Sequence, residues 1–393
     1  MKSMIKSVCM KYRILLAALV LGGMACSRQP SGENRVELVP EEECLSFRLP
    51  DNVSTYIKSM QCWKDGEGVD HLVLANNNFP EIYVYDLYGG QLRKTVRYHK
   101  EGPDGVGPKS GGVYMQDWNT FCLPNLFAME IAVIDSAGHK RATYRFPDDA
   151  FPFIPTRSIT SYPLCWTDST LYAYQGVNPR LGEECVRKSP VGLKCDLRTG
   201  AVEPLAFHYP SSLCRSPKAP ALGIESKVSR CFDGRRFVYS FAFDERLYVL
   251  PPSHDEVQAV SAPSRYLPVP EVPEPVEADL FSGTRQMCEL PFYGAVYYDP
   301  YREVYYRIAY PKEEYAEEEN FKDLWQSGRS RFSVLVLDKE LRVIGETMLP
   351  KDTYRSDLVL VGERGLYFSE NHYKNPSFDE DVLKFRLFRL ENL

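Results

Sequence analysis

The chain has 393 residues, 44% hydrophobic and 25% charged, with 47 basic against 53 acidic side chains and a net charge of −6. That is enough apolar material for a large core, and the acidic balance, with no RNA-binding or zinc-finger spacing, excludes a nucleic-acid-binding stripe. Aromatic residues make up 13%, led by 26 Tyr, a residue suited to half-buried strands.

The first 25 residues read as a targeting segment. Lys2, Lys6, Lys11 and Arg13 form a positive start, and Ile14–Leu21 is an apolar run too short for a permanent membrane span. Gly23-Met24-Ala25-Cys26 follows, and small residues before a Cys resemble a bacterial lipoprotein signal in which Cys26 becomes the lipidated N-terminus. Gly23 stands where Leu is commonest, and the alternative is an ordinary secretion signal cut near Ala25. The expected division is a signal at 1–25, a lipidated Cys and polar tether at 26–35, and one folded domain at 36–393. Loss of 1–25 removes four basic and no acidic residues, so the mature chain is more acidic still. Such a surface argues against docking on anionic lipid through the domain itself, leaving the lipid anchor as the membrane contact.

Nine further Cys follow the lipidation candidate in the mature chain, an odd number without CxxC spacing. This argues against a disulfide framework or a zinc site, and Cys62, Cys122, Cys165 and Cys231 fall on strand patterns as small buried residues.

From residue 56 onward the chain is a repeat. Each copy opens with a strand ending on an aromatic or acidic position: Trp63, Trp118, Trp166, Phe232, Tyr298 and Glu363. A turn and a second strand follow, then a hairpin. The hairpin is clearest at Glu81–Tyr98 and Glu130–Pro147, where Ile82/Val84/Asp86/Gly89 match Ile131/Val133/Asp135/Gly138. Its Asp recurs at Asp86, Asp135, Asp196 and Asp338, placed to start a turn and accept backbone hydrogen bonds. Four antiparallel strands per copy, six copies and a period of 48 to 66 residues predict an all-β, six-bladed β-propeller.

The sixth copy ends with the chain after three strands. The alternating runs Val36–Val39 and Leu45–Leu49 are the candidates for its fourth, which predicts closure by an N-terminal strand. Two insertions interrupt the repeat. Ala262–Asp279, with five Pro, predicts an extended connection, and Lys312–Ser327 predicts the one short helix.

Several stretches resemble the Bacteroidetes lipoprotein family known as domain of unknown function 4221: Tyr98–Gly107, Ser333–Pro350, and Gly365-Leu366-Tyr367 followed by Leu383–Leu390. The resemblance implies a six-bladed propeller-like lipoprotein of the cell envelope, at the outer membrane. It carries no established activity or catalytic residue.

Candidate chemistry is sparse. Gly102–Ser110 looks like a phosphate loop, but Pro108 stands before Lys109-Ser110 and a strand pattern follows where a P-loop needs a helix. It reads as a crossover between blades one and two. The six His lack metal spacing, and no serine-nucleophile elbow occurs. No cofactor or metal is therefore expected. Positive residues recur in the crossovers at Lys109, Arg157, Arg285 and Arg355, as candidates for an anionic ligand at the channel mouth. The functional expectation is a non-catalytic binding or scaffold module with a protein or glycan ligand. The alternative is a propeller-type polysaccharide lyase or glycoside hydrolase.

Overall fold

A computed structural model describes residues 35–146, 153–154, 157–174, 176–177, 188–210, 213, 228–269 and 280–393. Cys26 and the signal lie outside the described residues. Blade one is built from β2 (Met60–Lys64), β3 (Asp70–Ala75), β4 (Glu81–Asp86) and β5 (Leu92–Arg97). Blade two follows with β6 (Tyr114–Asp117), β7 (Thr120–Pro124), β8 (Glu130–Ile134) and β9 (Lys140–Arg145). Blade three has β11 (Cys165–Thr167), β12 (Thr170–Tyr174), β14 (Gly192–Asp196) and β15 (Val202–Pro204), beside a two-residue ribbon of β10 (Phe153–Ile154) and β13 (Gly176–Val177). Blade four is β16 (Val228–Phe232), β17 (Phe237–Phe241), β18 (Arg246–Leu250) and β19 (Gln258–Ser261). Blade five is β20 (Phe292–Asp299), β21 (Val304–Tyr310), β22 (Ser333–Leu337) and β23 (Val343–Met348). Blade six combines β24 (Arg355–Gly362), β25 (Gly365–Ser369) and β26 (Val382–Asn392) with β1 (Val36–Arg48) from the other end of the chain.

Closure is as the sequence predicts, with one refinement. The two N-terminal runs are a single strand, paired with β26 from Val36↔Asn392 to Arg48↔Val382 and bulged between Pro40 and Cys44. Pro40 has no N–H to give, so a bulge on an outer strand is where a sheet tolerates it. Arg386 fills the bulge, its Nη1 donating to the Glu41 and Glu42 carbonyls. Phe47 is fully buried and packs edge-on to Tyr85 of blade one and Phe385 of blade six, at 5.6 and 6.0 Å between centroids. At its other end the strand reaches blade five, where Arg35 N–H donates to Ile344 O and Leu38 N–H to Thr347 Oγ1. One strand therefore ties three blades.

Within each blade the first-to-second and third-to-fourth turns share one face, the turn face. The second-to-third loops and the crossovers between blades share the other, the crossover face. The recurring Asp residues make turns as expected. Asp86 Oδ1 accepts from Gly89 N–H, Asp135 Oδ1 from Ala137 and His139, Asp196 Oδ1 from Arg198 and Thr199, and Asp338 Oδ1 from Glu340 and Arg342. Each also pairs with an arginine: Arg93, Arg141, Arg198 and Arg342 respectively. The Arg93 guanidinium, with the Gly89 N–H, holds the Asp86 carboxyl below its usual range. The matched glycines shift by one residue. Gly90, at φ 66, is the counterpart of Gly138, at φ 87, because the blade-one turn is one residue longer.

Neighbouring blades are joined by arginines whose guanidinium groups bond backbone carbonyls. Arg307 is fully buried. It lies 3.7 Å over the Tyr293 ring and donates to Ser240 Oγ and to the Asp244, Glu245 and Ala262 carbonyls, joining blades four and five. Arg230 joins blades three and four through the Pro163 and Tyr172 carbonyls, and Arg302 joins five and six through Gly362 and Glu363.

The helical expectation is corrected. Only Phe321–Ser327 of the predicted Lys312–Ser327 is helical, here α2, and it begins where Asn320 Oδ1 accepts from Asp323 N–H. The preceding Glu313/Glu317 and Glu314/Glu318 pairs would stack like charges at i,i+4, which opposes a helix. Glu313 and Glu319 instead pair with Arg329 and Lys374. A second helix, α1 (Leu280–Glu289), was not expected. Gly283 in its middle costs it about 1 kcal/mol relative to Ala and obscures its pattern. Residues 270–279 of the Pro-rich connection lie outside the described residues.

Candidate functional site

The mouth of the channel on the crossover face is occupied on the side of blades one to four. Ser158 N–H donates to Gly111 O at 3.0 Å and Thr160 N–H to Lys58 O at 3.1 Å, while Ser161 O accepts from Arg230 N–H and Ser229 Oγ. Three residues within four positions thus bond to segments that lead into or form the first strands of blades one, two and four. Gly112 makes this approach possible. It sits at φ 124, and a Cβ there would strike the Ser158 carbonyl.

Two of the four basic residues singled out in the sequence are engaged inside the protein. Arg355 is buried, paired with Asp357 at 2.7 Å, and donates to the Thr55 and Gln326 carbonyls. Arg285 lies on α1, paired with Glu289 at 2.9 Å and held 5.4 Å from the Phe321 ring. Both belong to a cap formed by α1, α2 and the loop after β25. Cys288, Phe321 and Leu324 are its buried centre, with Tyr315, Trp325 and Tyr373 packed around them. Arg157 is exposed. Lys109 is exposed as well, and it borders a cleft.

That cleft is shallow and open to solvent, and lies between the β3–β4 loop and the crossover from blade one to blade two. Asn76–Pro80 form one wall, and Tyr98, Lys100 and Gly107–Ser110 the other. The Asn run shapes the first wall. Asn76 Oδ1 accepts from the Asn78 and Phe79 N–H groups, and the Asn77 amide donates to Tyr56 O. This turns Asn78 and Phe79 outward, where Phe79 is 47% exposed. Blade two repeats the device, with Asn125 Oδ1 accepting from Phe127 N–H and Phe127 71% exposed. The crossover is fixed to both loops: Tyr98 N–H donates to Pro80 O of blade one, while Leu126 N–H of blade two donates to Lys109 O and Ser110 Oγ to Pro124 O.

No carboxylate lines the cleft. Glu81, next after Pro80, is engaged by Tyr83, Asn52 and Arg97, and the Tyr83 hydroxyl is the main group holding its carboxyl below the ordinary range. Burial pushes the Tyr98 phenol up to about 12, with Ser110 offsetting part of that, so it stays a neutral hydrogen-bonding group. Lys100 and Lys109 have no ion pair among the described residues. The wall therefore offers ammonium, amide and hydroxyl donors beside an exposed aromatic ring. The sequence signal for it was the Asn-Asn-Asn-Phe-Pro run after the second strand of blade one.

Among the described residues no disulfide forms, and burial pushes Cys62 and Cys122 up to about 12.

Comparison with known proteins gives the family. The domain of unknown function DUF4221 matches residues 35–348. The chain belongs to the DUF4221 family. A crystal structure of a family member from Bacteroides vulgatus superposes with a TM-score of 0.83 at 28% identity, over 92% of this chain and 99% of that one. A protein of Bacteroides fragilis described as exported has a TM-score of 0.53 at 9% identity, over 93% and 98% of the two chains, a likeness of fold alone. No protein of curated function matches. This chain and the Bacteroides vulgatus family member thus share the fold, and among the described residues no helix is long and apolar enough to cross a membrane.

Proposed function

We propose that this DUF4221 protein is a non-catalytic binding module of the cell envelope, tethered to the outer membrane through a lipidated Cys26. It takes a carboxylated or sulfated glycan in the crossover-face cleft of blades one and two. The carrying observation is the cleft wall, which presents donors and no carboxylate in a protein of net charge −6. Lys100 and Lys109 supply charge for sulfate or carboxylate oxygens, Asn78 an amide for hydroxyls, and Phe79 a flat apolar surface for a sugar ring. The exported likeness and the signal-like first 25 residues support the location.

A glycan array with the chain from Ser27 tests this reading. Anionic glycans should be retained, and Lys100→Ala/Lys109→Ala should weaken retention by about tenfold, the loss of roughly 1.4 kcal/mol. Unchanged retention removes the cleft as the site. Turnover of a retained glycan replaces the binding module with the lyase or hydrolase.

A further inference from the structure

We propose that the cleft is one part of a longer track, in which Phe378, Phe79 and Phe127 on blades six, one and two stack on successive sugars of an acidic polysaccharide, an inference that rests on the glycan-binding cleft. Among the described residues three phenylalanines are exposed, and they are these three. All stand in the second-to-third loop of their blade, on the crossover face, and the three blades are consecutive around the ring. A ring left in water forgoes the burial a phenylalanine otherwise gains, so three on one rim mark a surface that is covered by something else. Each loop also sets its ring by the same means, an Asn side chain that accepts from a following N–H and donates its amide to a fixed group. Asn76 and Asn125 do this before Phe79 and Phe127, with their amides on Asn52 O and Glu130 Oε1. In blade six Asn375 Oδ1 accepts from Ser377 N–H and Asn375 O from Phe378 N–H, while the amide donates to the Thr353 and Glu370 carbonyls. Blades four and five differ, with Phe243 buried in the loop of one and Phe321 buried on α2 in that of the other. The blade-three loop lies partly outside the described residues.

The three loops are also joined through the crossovers between them. Leu49 N–H donates to Asp381 O beyond Phe378, and the Asn76 amide to Asn52 O, so the segment entering blade one bonds the loops of blades six and one. Tyr98 N–H on Pro80 O and Leu126 N–H on Lys109 O do the same for blades one and two. These crossovers carry Lys58, Lys100 and Lys109, all exposed and without an ion pair among the described residues. Carboxylates stand here too. Asp51 and Glu101 are exposed in the same crossovers, and Glu380 and Asp381 follow Phe378. Acid groups of the ligand are therefore held locally, at the lysines, and the blade-six ring meets the uncharged face of a sugar. Rings set singly among amides, hydroxyls and lysines suit a carbohydrate, whose ring faces are apolar and whose edges are polar. A protein partner is met by a contiguous apolar centre depleted of charge.

Calorimetric titration of the chain from Ser27 with oligosaccharides of hyaluronan and of chondroitin sulfate tests this. In the first a carboxylated sugar alternates with a neutral one, and in the second with a sulfated one. With at least one of the two, a decasaccharide should bind at least about tenfold tighter than a tetrasaccharide, because it reaches more rings. Phe378→Ala and Phe127→Ala should each weaken the decasaccharide by about fivefold and the tetrasaccharide by less than about twofold, whereas Phe79→Ala should weaken both. Leu92→Ser, at an exposed apolar residue of the turn face, should change neither. Equal affinity for the two lengths, or a decasaccharide indifferent to Phe378→Ala and Phe127→Ala, overturns the track and leaves the rings to a protein partner. The cleft survives that result if Lys100→Ala/Lys109→Ala still weakens binding. Failure of both polymers at both lengths also overturns the track, whereas the cleft falls only if the array retains no anionic glycan.

Discussion

Over blades five and six the crossover face is closed by the α1–α2 cap, and its basic side chains point inward. Over blades one and two the same face is open, and its lysines reach solvent. Arg355 opens the first strand of blade six and Lys109 lies in the crossover that leads to the first strand of blade two, yet one is buried against Asp357 and backbone carbonyls and the other is exposed beside a cleft. A basic residue in or just after a crossover is thus either a fastener or a candidate ligand contact, and its burial distinguishes them.

The comparison breaks first at Arg355. Replacing it with Met leaves the Thr55 and Gln326 carbonyls without their donor and should cost about 3–5 kcal/mol, measured by denaturant unfolding. A cost below about 1 kcal/mol would mean that the capped half is held some other way. Next is pH. His372 is fully buried in the capped half, and burial pulls its imidazole down to about 4. The folded state therefore holds it neutral, while the unfolded chain takes up a proton near pH 6.5. Its contribution is complete above pH 6.5 and is lost as pH falls toward 4, a loss of about 3 kcal/mol. His254, bonded to Tyr239 and likewise held near 4, should add a similar loss in blade four. Stability measured at pH 7 and pH 4.5 should differ less in His372→Gln, and an unchanged difference would rule this histidine out. Leu324→Ala should cost about 2–3 kcal/mol through the cavity in the cap, and hydrogen exchange should quicken in α1 and α2 before the blades. The smallest effect on stability is expected in the open half. Lys109→Ala and Phe127→Ser should each shift unfolding by less than about 0.5 kcal/mol, and a larger shift would make these residues structural.

The ring was legible because its information is local and repeated. The alternation around Asp86 returns at Asp135, Asp196 and Asp338, and each copy carries the pattern that buries one blade against the next. The closing strand was legible as a missing quarter of blade six. The cap was not. The acidic run before Phe321 looks helical by composition, and only its partners across the fold, Lys374 and Arg329, show why it stays irregular. The filled channel mouth was equally hidden, because Thr160 meets Lys58 some hundred residues away in the chain. For the site, the sequence offered four positive residues and no means of telling which had a carboxylate or carbonyl waiting. Asp357, two residues after Arg355, was the available hint.

The closing strand also determines how the ring meets mechanical force. The N-terminal side of the chain enters at the turn face and β1 runs toward the crossover face, where a ligand would pull. Tension between the two therefore acts along β1, and the ten register pairs with β26 are strained together in shear instead of parting one after another from an end. Pairs loaded in parallel share the force, so the seam that joins the two ends of the chain is pulled in the direction in which a strand pair resists most.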